Sequence, residues 1–267
     1  MKFSILSGVC SAALLLTGSA QAALVANFDS AVVTPASPAS AANFAPQAGW
    51  TISDPALDLS FIQSGSAYGG TGQSVGLGGF YEVPAGTTVR LSRAVSEVLA
   101  FSVFSVDLAL INRYALDAGN FFNEDDRFGL VLIDAGGELL NIDFSPTASE
   151  NFRQVFVNGT GLTPNGILAS DYNTPLWYSL KMTFTANGLD LNYTVSLANG
   201  GITYNGSLAG KASTTLTGIG FDFDVLGATG ANAGSNYLLI DNVSIPEPSV
   251  TLTGLLGLGL LGARRRR

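Results

Sequence analysis

The chain has 267 residues, of which 47% are hydrophobic, with no histidine, one cysteine and a formal net charge of −8. The lack of histidine excludes a Ser-His-Asp triad, a Cys-His pair and every His-ligated zinc or copper site. Between residues 23 and 245, seven basic residues stand against nineteen acidic ones, a balance that repels phosphodiester backbones, so no nucleic-acid partner is expected.

In chain order, Lys2 is followed by an apolar stretch from Phe3 to Leu16 and then by "TGSAQA", with Ala20 and Ala22 small enough for a peptidase. Residues 1–22 read as a secretory signal peptide, which makes signal peptidase a partner. Cys10 lies inside that segment, so the body after it is expected to hold together by packing, without a disulfide.

The body, residues 23–245, reads as one all-β domain, an antiparallel β-sandwich. Strands are expected at Leu24–Phe28, Ser74–Val83, Thr88–Leu91, Val98–Leu110, Phe128–Asp134, Leu139–Phe144, Arg153–Val157, Leu216–Val225 and Tyr237–Ile245. Thr34 to Ala48 reads as a long loop within the domain. "LIDAGGELLNIDF" is a hairpin turning at Ala135-Gly136-Gly137. "WYSLKMTFTA" and "LDLNYTVSL" alternate apolar and polar residues on either side of Asn187-Gly188, with Leu189, Leu191, Tyr193, Val195 and Leu197 expected on one face. That is a strong hairpin signal, and with "ITYNGSL" it predicts a three-strand meander over Trp177–Leu208.

The candidate chemistry is sparse. Asp222 and Asp224 share one face of "GFDFDV", opposite Phe221 and Phe223. A sandwich glycosidase needs carboxylates facing one cleft, and no third carboxylate stands in that run. The bland reading is a solvated polar face. Glu124, Asp125 and Asp126 form a loop cluster, either a solubilising turn or an oxygen-ligand cation site. Trp50, Tyr68, Tyr81 and Trp177 are the aromatic candidates for stacking on sugar rings, although burial competes for each tryptophan. Asp241 interrupts "LLIDNVSI" where the apolar phase slips: Leu238 and Ile240 are expected on one face, Val243 and Ile245 on the other. Such a slip suggests a bulge that re-aims the carboxylate.

The order of "LVANFDS", "WYSLKMTF" and the closing "YLLIDNVSI" resembles concanavalin- and lectin-like jelly rolls, whose last strand lies beside the first. That resemblance implies a carbohydrate-binding module. It also implies a structural calcium between Asp29 and Asp241, against the alternative of an Asp hydrogen-bonded within a turn.

The C-terminus has three parts. Pro246, Glu247 and Pro248 end the last strand. Ser249 to Ala263 carry no charge and, as a helix, rise about 22 Å, short of a hydrocarbon core of about 30 Å. Arg264, Arg265, Arg266 and Arg267 then resist translocation and stay cytoplasmic. Residues 246–267 thus resemble the PEP-CTERM sorting signal, with a short C-terminal transmembrane helix. The resemblance implies export, transient anchoring in the inner membrane and processing by an exosortase-type enzyme. Delivery to the cell surface or to an exopolysaccharide matrix, as in biofilm, is expected to follow. The expected activity is non-enzymatic carbohydrate or exopolysaccharide association. The alternatives are a polysaccharide-processing enzyme of the sandwich type and a ligand-free coat protein.

Overall fold

The structure, a computed structural model, describes residues 22–26, 28, 49–53, 60–64, 72–78, 86–112, 127–145, 154–162, 175–199, 201–225 and 236–246. These residues form fifteen strands: β1 (Ala22–Ala26), β2 (Trp50–Ile52), β3 (Ser60–Ser64), β4 (Gln73–Gly78), β5 (Thr87–Val98), β6 (Val103–Asn112), β7 (Arg127–Asp134), β8 (Gly137–Ser145), β9 (Gln154–Val157), β10 (Thr160–Leu162), β11 (Trp177–Asn187), β12 (Asp190–Leu197), β13 (Ile202–Leu208), β14 (Thr215–Val225) and β15 (Asn236–Pro246). One sheet runs β13-β12-β11-β6-β15-β4-β3, with β1 also paired to β15; the other runs β10-β9-β8-β7-β14-β5-β2. Every pairing is antiparallel. The protein is an all-β, two-sheet sandwich, as the alternation predicts. Among the described residues no helix is long and apolar enough to cross a membrane; the predicted signal peptide up to residue 21, the loop at 34–48 and the oily tail lie outside them.

Period-two alternation puts one set of apolar side chains between the sheets. Phe104, Leu108, Tyr178, Phe184, Leu238 and Ile240 come from one sheet. Leu91, Phe128, Leu132, Phe144, Phe221 and Phe223 come from the other. Phe128 and Phe223 stack at 4.9 Å.

The two central strands, β14 and β15, each break their alternation once and keep the core side. In β15 the register shifts between Asp241 and Ser244, with Asn242 at φ 48°. The bulge absorbs the slip, so Leu238, Ile240, Val243 and Ile245 all join one core; the expected reversal of Val243 and Ile245 to the other face does not occur. It also marks where β15 changes neighbours, from β4 at Tyr237–Ile240 to β1 at Val243–Pro246. In β14 a shift between Leu216 and Gly218 likewise keeps Leu216 and Ile219 on the core side.

Three sequence expectations need revision. Val98–Leu110 is not one strand: β5 runs from Thr87 to Val98, a turn closes with Ser102 N–H donating to Leu99 O at 2.9 Å, and β6 begins at Val103. The turn between β11 and β12 centres on Gly188 and Leu189, since Asn187 pairs with Asp190, and Leu189 is 82% exposed instead of facing the core. The short strands β2, β3 and β10 are additions. The hairpin β7–β8 is locked by Asp134, which accepts the Gly136 N–H at 2.7 Å and pairs with Lys211; the lysine holds its carboxyl below the usual range. Replacing Phe223, fully buried between the sheets, by alanine is expected to cost about 3–5 kcal/mol of unfolding free energy, measured by urea denaturation.

Candidate functional site

Because Phe221 and Phe223 point inward, Asp222 and Asp224 point outward from the β10–β2 sheet. The register assembles a row across this outer face. Asp222 lies opposite Arg90 on β5 and Gly129 on β7. Gly129 lies opposite Asp143 on β8, and Asp143 opposite Phe156 on β9. The absence of a side chain at Gly129 lets two carboxylate-bearing residues close over it. A Cβ there would stand 2.9 Å from Asp143 Oδ1 and 3.6 Å from Asp222 Cβ. Gly220 plays the same part for Arg90, whose Cδ lies 3.1 Å from where a Cβ would be.

Arg90 grips Asp222 as a fork, Nε donating to Oδ1 at 2.6 Å and one terminal nitrogen to Oδ2 at 2.5 Å. That nitrogen also donates to Glu138 at 2.6 Å. The bidentate geometry is the strong form of this contact and fixes both planes. It raises the Arg90 pKa further and keeps the guanidinium charged. Burial pushes the Asp222 carboxyl up, with Arg90 pulling it back. Among the described residues no counter-ion is in salt-bridge contact with Asp143; its side chain accepts a long hydrogen bond from Asn141 Nδ2 at 3.4 Å. Burial, then repulsion from Asp224, raises its carboxyl to about 6, with Arg127 acting against them. Arg127 lies 5.4 Å from the centroid of the Phe156 ring, and Phe156 rests on Gly161, where a Cβ would come within 3.3 Å. The face therefore presents a half-buried carboxyl that changes charge near pH 6, a fixed Arg–Asp pair and an aromatic ring. Such groups suit a ligand rich in hydroxyls, which can both donate to carboxylates and accept from guanidinium.

A second polar feature lies on the opposite sheet. A concavity of about 610 Å³ is lined by Thr185, Asn192, Thr194, Asn205 and Ser207. Thr194 Oγ1 donates to Asn205 Oδ1 at 2.7 Å. Tyr193 crosses Gly206 so closely that a Cβ there would lie 2.3 Å from the phenol oxygen, and burial pushes its hydroxyl up to about 12.

Those residues singled out from sequence that the structure describes do not converge on one site. Trp50, expected to stack on sugar, is a core residue: it is 1% exposed and held between Phe28 at 5.8 Å and Phe221 at 5.9 Å, so no ring face is open. Trp177 is half-buried on the outer face of the other sheet, packed against Ala109, Ile111 and Leu239. Asp241 sits in the predicted bulge, 2% exposed, and accepts the Asn242 N–H at 2.8 Å. Its cross-strand partner Asp107 accepts from Asn242 Nδ2 at 2.9 Å and from the Ser179 hydroxyl. Asp29, Tyr68, Tyr81, the cluster Glu124–Asp126, the tail residues Glu247 and Pro248, and Arg264 to Arg267 lie outside the described residues. No group of three or more His, Cys, Asp or Glu able to hold a metal ion occurs among the described residues. Neither Asp143 nor Phe156 stands out in the sequence; the signals that could have found them are an Asp on the outward phase of "NIDF" and a Phe on that of "VFV".

Residues 244–267 match the family model described as the PEP-CTERM protein-sorting motif. The chain carries this sorting motif and is an exported protein. The match begins at Ser244, inside β15, two residues before the Pro-Glu-Pro triplet. No curated protein matches the chain. Among solved structures it is similar to winged bean acidic lectin complexed with methyl-α-D-galactose, at 12% identity and TM-score 0.39, over 83% of this chain and 98% of that one. It is also similar to a Bacillus subtilis protein of unknown function with a galectin-like fold, at 11% identity and TM-score 0.40, over 72% of this chain and 91% of that one. A third likeness is to a Bacteroides ovatus GH16 protein in complex with a mixed-linkage glucan product, at 14% identity and TM-score 0.41, over 65% of this chain and 81% of that one.

The raised Asp143 carboxyl has a stability consequence. Its folded pKa of about 6 lies above its ordinary value of 3.8, so stability falls as pH rises through that interval and is level above it. Asp143→Asn removes the cost. It is expected to raise the unfolding free energy at pH 8 by about 1 kcal/mol, after discounting for solvent screening. The gain should vanish at pH 4, as read from paired denaturant titrations.

Proposed function

We propose that this exported sandwich is a non-catalytic carbohydrate-associated module, delivered to the cell surface or extracellular matrix after an exosortase-type enzyme has processed its tail. The observation that carries the binding half of this reading is the outward row of Asp143, Gly129 and Asp222 with Phe156 at its side. Ionised Asp143 accepts hydrogen bonds from sugar hydroxyls, and Phe156 offers an apolar ring edge. Exopolysaccharide, made by an exporting cell and met outside it, is the ligand class that fits the destination.

A glycan-array screen of the full chain at pH 7.5 tests this. Binding is expected to drop at least tenfold in Asp143→Ala, a loss of about 1.4 kcal/mol, and to weaken as pH falls through about 6. Asn205→Ala, in the concavity of the other sheet, should leave it unchanged. Loss through Asn205 alone would move the site to that concavity, and no binding to any glycan would favour a ligand-free coat protein.

One observation favours a second reading, a polysaccharide-processing enzyme. A carboxyl that holds its proton near pH 6 beside a second one is the arrangement of a general acid with its partner. Release of new reducing ends from a bound polysaccharide, abolished in Asp143→Asn, would select this reading.

A structural calcium ion shared by Asp29 and Asp241 belongs to the same proposal. Pairing of β1 with the end of β15 supports it by bringing the strand before Asp29 alongside the bulge that holds Asp241. With calcium held there, EDTA should lower the thermal midpoint; an unchanged melting curve removes the site.

A further inference from the structure

Four large apolar side chains are exposed among the described residues: Val98, Phe101, Leu176 and Leu189. Three of them lie at one end of the sandwich. Val98 ends β5, and Phe101 belongs to the turn that joins β5 to β6. Leu189 tips the β11–β12 hairpin, and its carbonyl accepts the Ala212 N–H at 3.0 Å. Leu99 N–H in turn donates to Thr214 O at 3.1 Å. Both turns are thereby tied to the same crossing segment between the sheets.

Phe101 is held there at a cost. Its φ is 65°, in the left-handed region that a bulky residue rarely enters. It occupies the third position of the Leu99–Ser102 turn, where glycine ordinarily stands. Phe28 also has a positive φ, 52°, but it is buried and packed on Trp50. Phe101 is 70% exposed, so burial in the fold does not compensate its strain.

The same end is where the tail leaves. Ser244 pairs with Ser105, close to the start of β6, and Pro246 pairs with Ala22. β15 and β6 are neighbours, so the exit at Pro246 lies about 4.8 Å, one strand spacing, from the strand that emerges from the Phe101 turn. The uncharged run opens at Ser249. Three peptide steps separate it from Pro246, a reach of at most about 10 Å. With that run in a bilayer, this end of the sandwich must lie at the membrane surface.

We propose that the end of the sandwich bearing Phe101, Leu189 and Val98 is a bilayer-contacting surface, which seats the folded domain on the membrane that holds its own tail. The contact is apolar. Two carboxylates at this end are engaged within the fold, Asp134 with Lys211 and Asp190 with the Gly210 N–H. The Asp143–Asp222 row lies on a flank of the domain, away from the headgroups. The seat fixes the orientation of the Pro-Glu-Pro segment towards a membrane-embedded processing enzyme. It depends on the sorting motif and is independent of the carbohydrate reading.

The test uses the full chain, with Cys10→Ser, in phosphatidylcholine vesicles bearing brominated acyl chains. A fluorescent label is attached through Phe101→Cys, Leu189→Cys or, at the opposite end, Thr88→Cys. The labels at 101 and 189 are expected to lose most of their fluorescence to the brominated lipid, and the label at 88 to keep it. Phe101→Gly relaxes the turn. It should leave the thermal midpoint unchanged or higher while weakening the quenching at 189. A chain that does not float with the vesicles, equal quenching at 88 and 101, or undiminished quenching at 189 in the glycine variant overturns the proposal.

Discussion

The apolar layer between the two sheets is the constraint from which the rest follows. After residue 22 there is no cysteine, so no covalent staple backs up the packing. Interdigitated side chains such as Phe128, Phe223, Phe184 and Ile240 must supply the stability. Each inward residue commits its neighbours to the outside. Asp222 and Asp224 are on the surface because Phe221 and Phe223 are not. Asp143 is there because Ile142 and Phe144 face in. The chemistry of the outer face is in this sense a by-product of core packing, refined by glycines at 129 and 220 that let charged groups lie flat on the sheet.

Much of this was legible in the residues. The β11–β12–β13 meander shows in alternation around Asn187-Gly188, and the closing strand's bulge shows in the three-residue step from Ile240 to Val243. Strands β2 and β10 have only three residues each, too few for a period to declare itself. Trp50 misled because an aromatic after a loop looks free, whereas β2 pairs with β5 and turns that ring into the core. The carboxyl row was half visible. Asp222 and Asp224 announce their shared face, but Asp143 joins them only through the order β8-β7-β14, a long-range pairing that local pattern does not encode. The raised carboxyl at Asp143 is likewise a property of the assembled surface.

The molecule divides its work by geometry. Outer faces carry the polar and charged groups, apart from the small apolar cluster under Trp177, while the ends carry turns. One end gathers the paired strands β1 and β15 together with the exposed apolar tips. The sorting motif begins at Ser244, within a strand, so no spacer separates folded domain from address label.

β15 stands in the interior of its sheet, flanked by β6 on one side and by β4 and β1 on the other. It is also the last of the described strands along the chain. Until it arrives, β6 and β4 have no common partner, and half of the sandwich lacks its middle. Closing the sheet joins Ile245 to Ala23, a pairing across nearly the whole domain, of the long-range kind whose loop closure slows folding. In a chain so ordered the sheet cannot close until its carboxyl-terminal strand is present, so completion of the fold waits on the very segment that runs into the sorting motif.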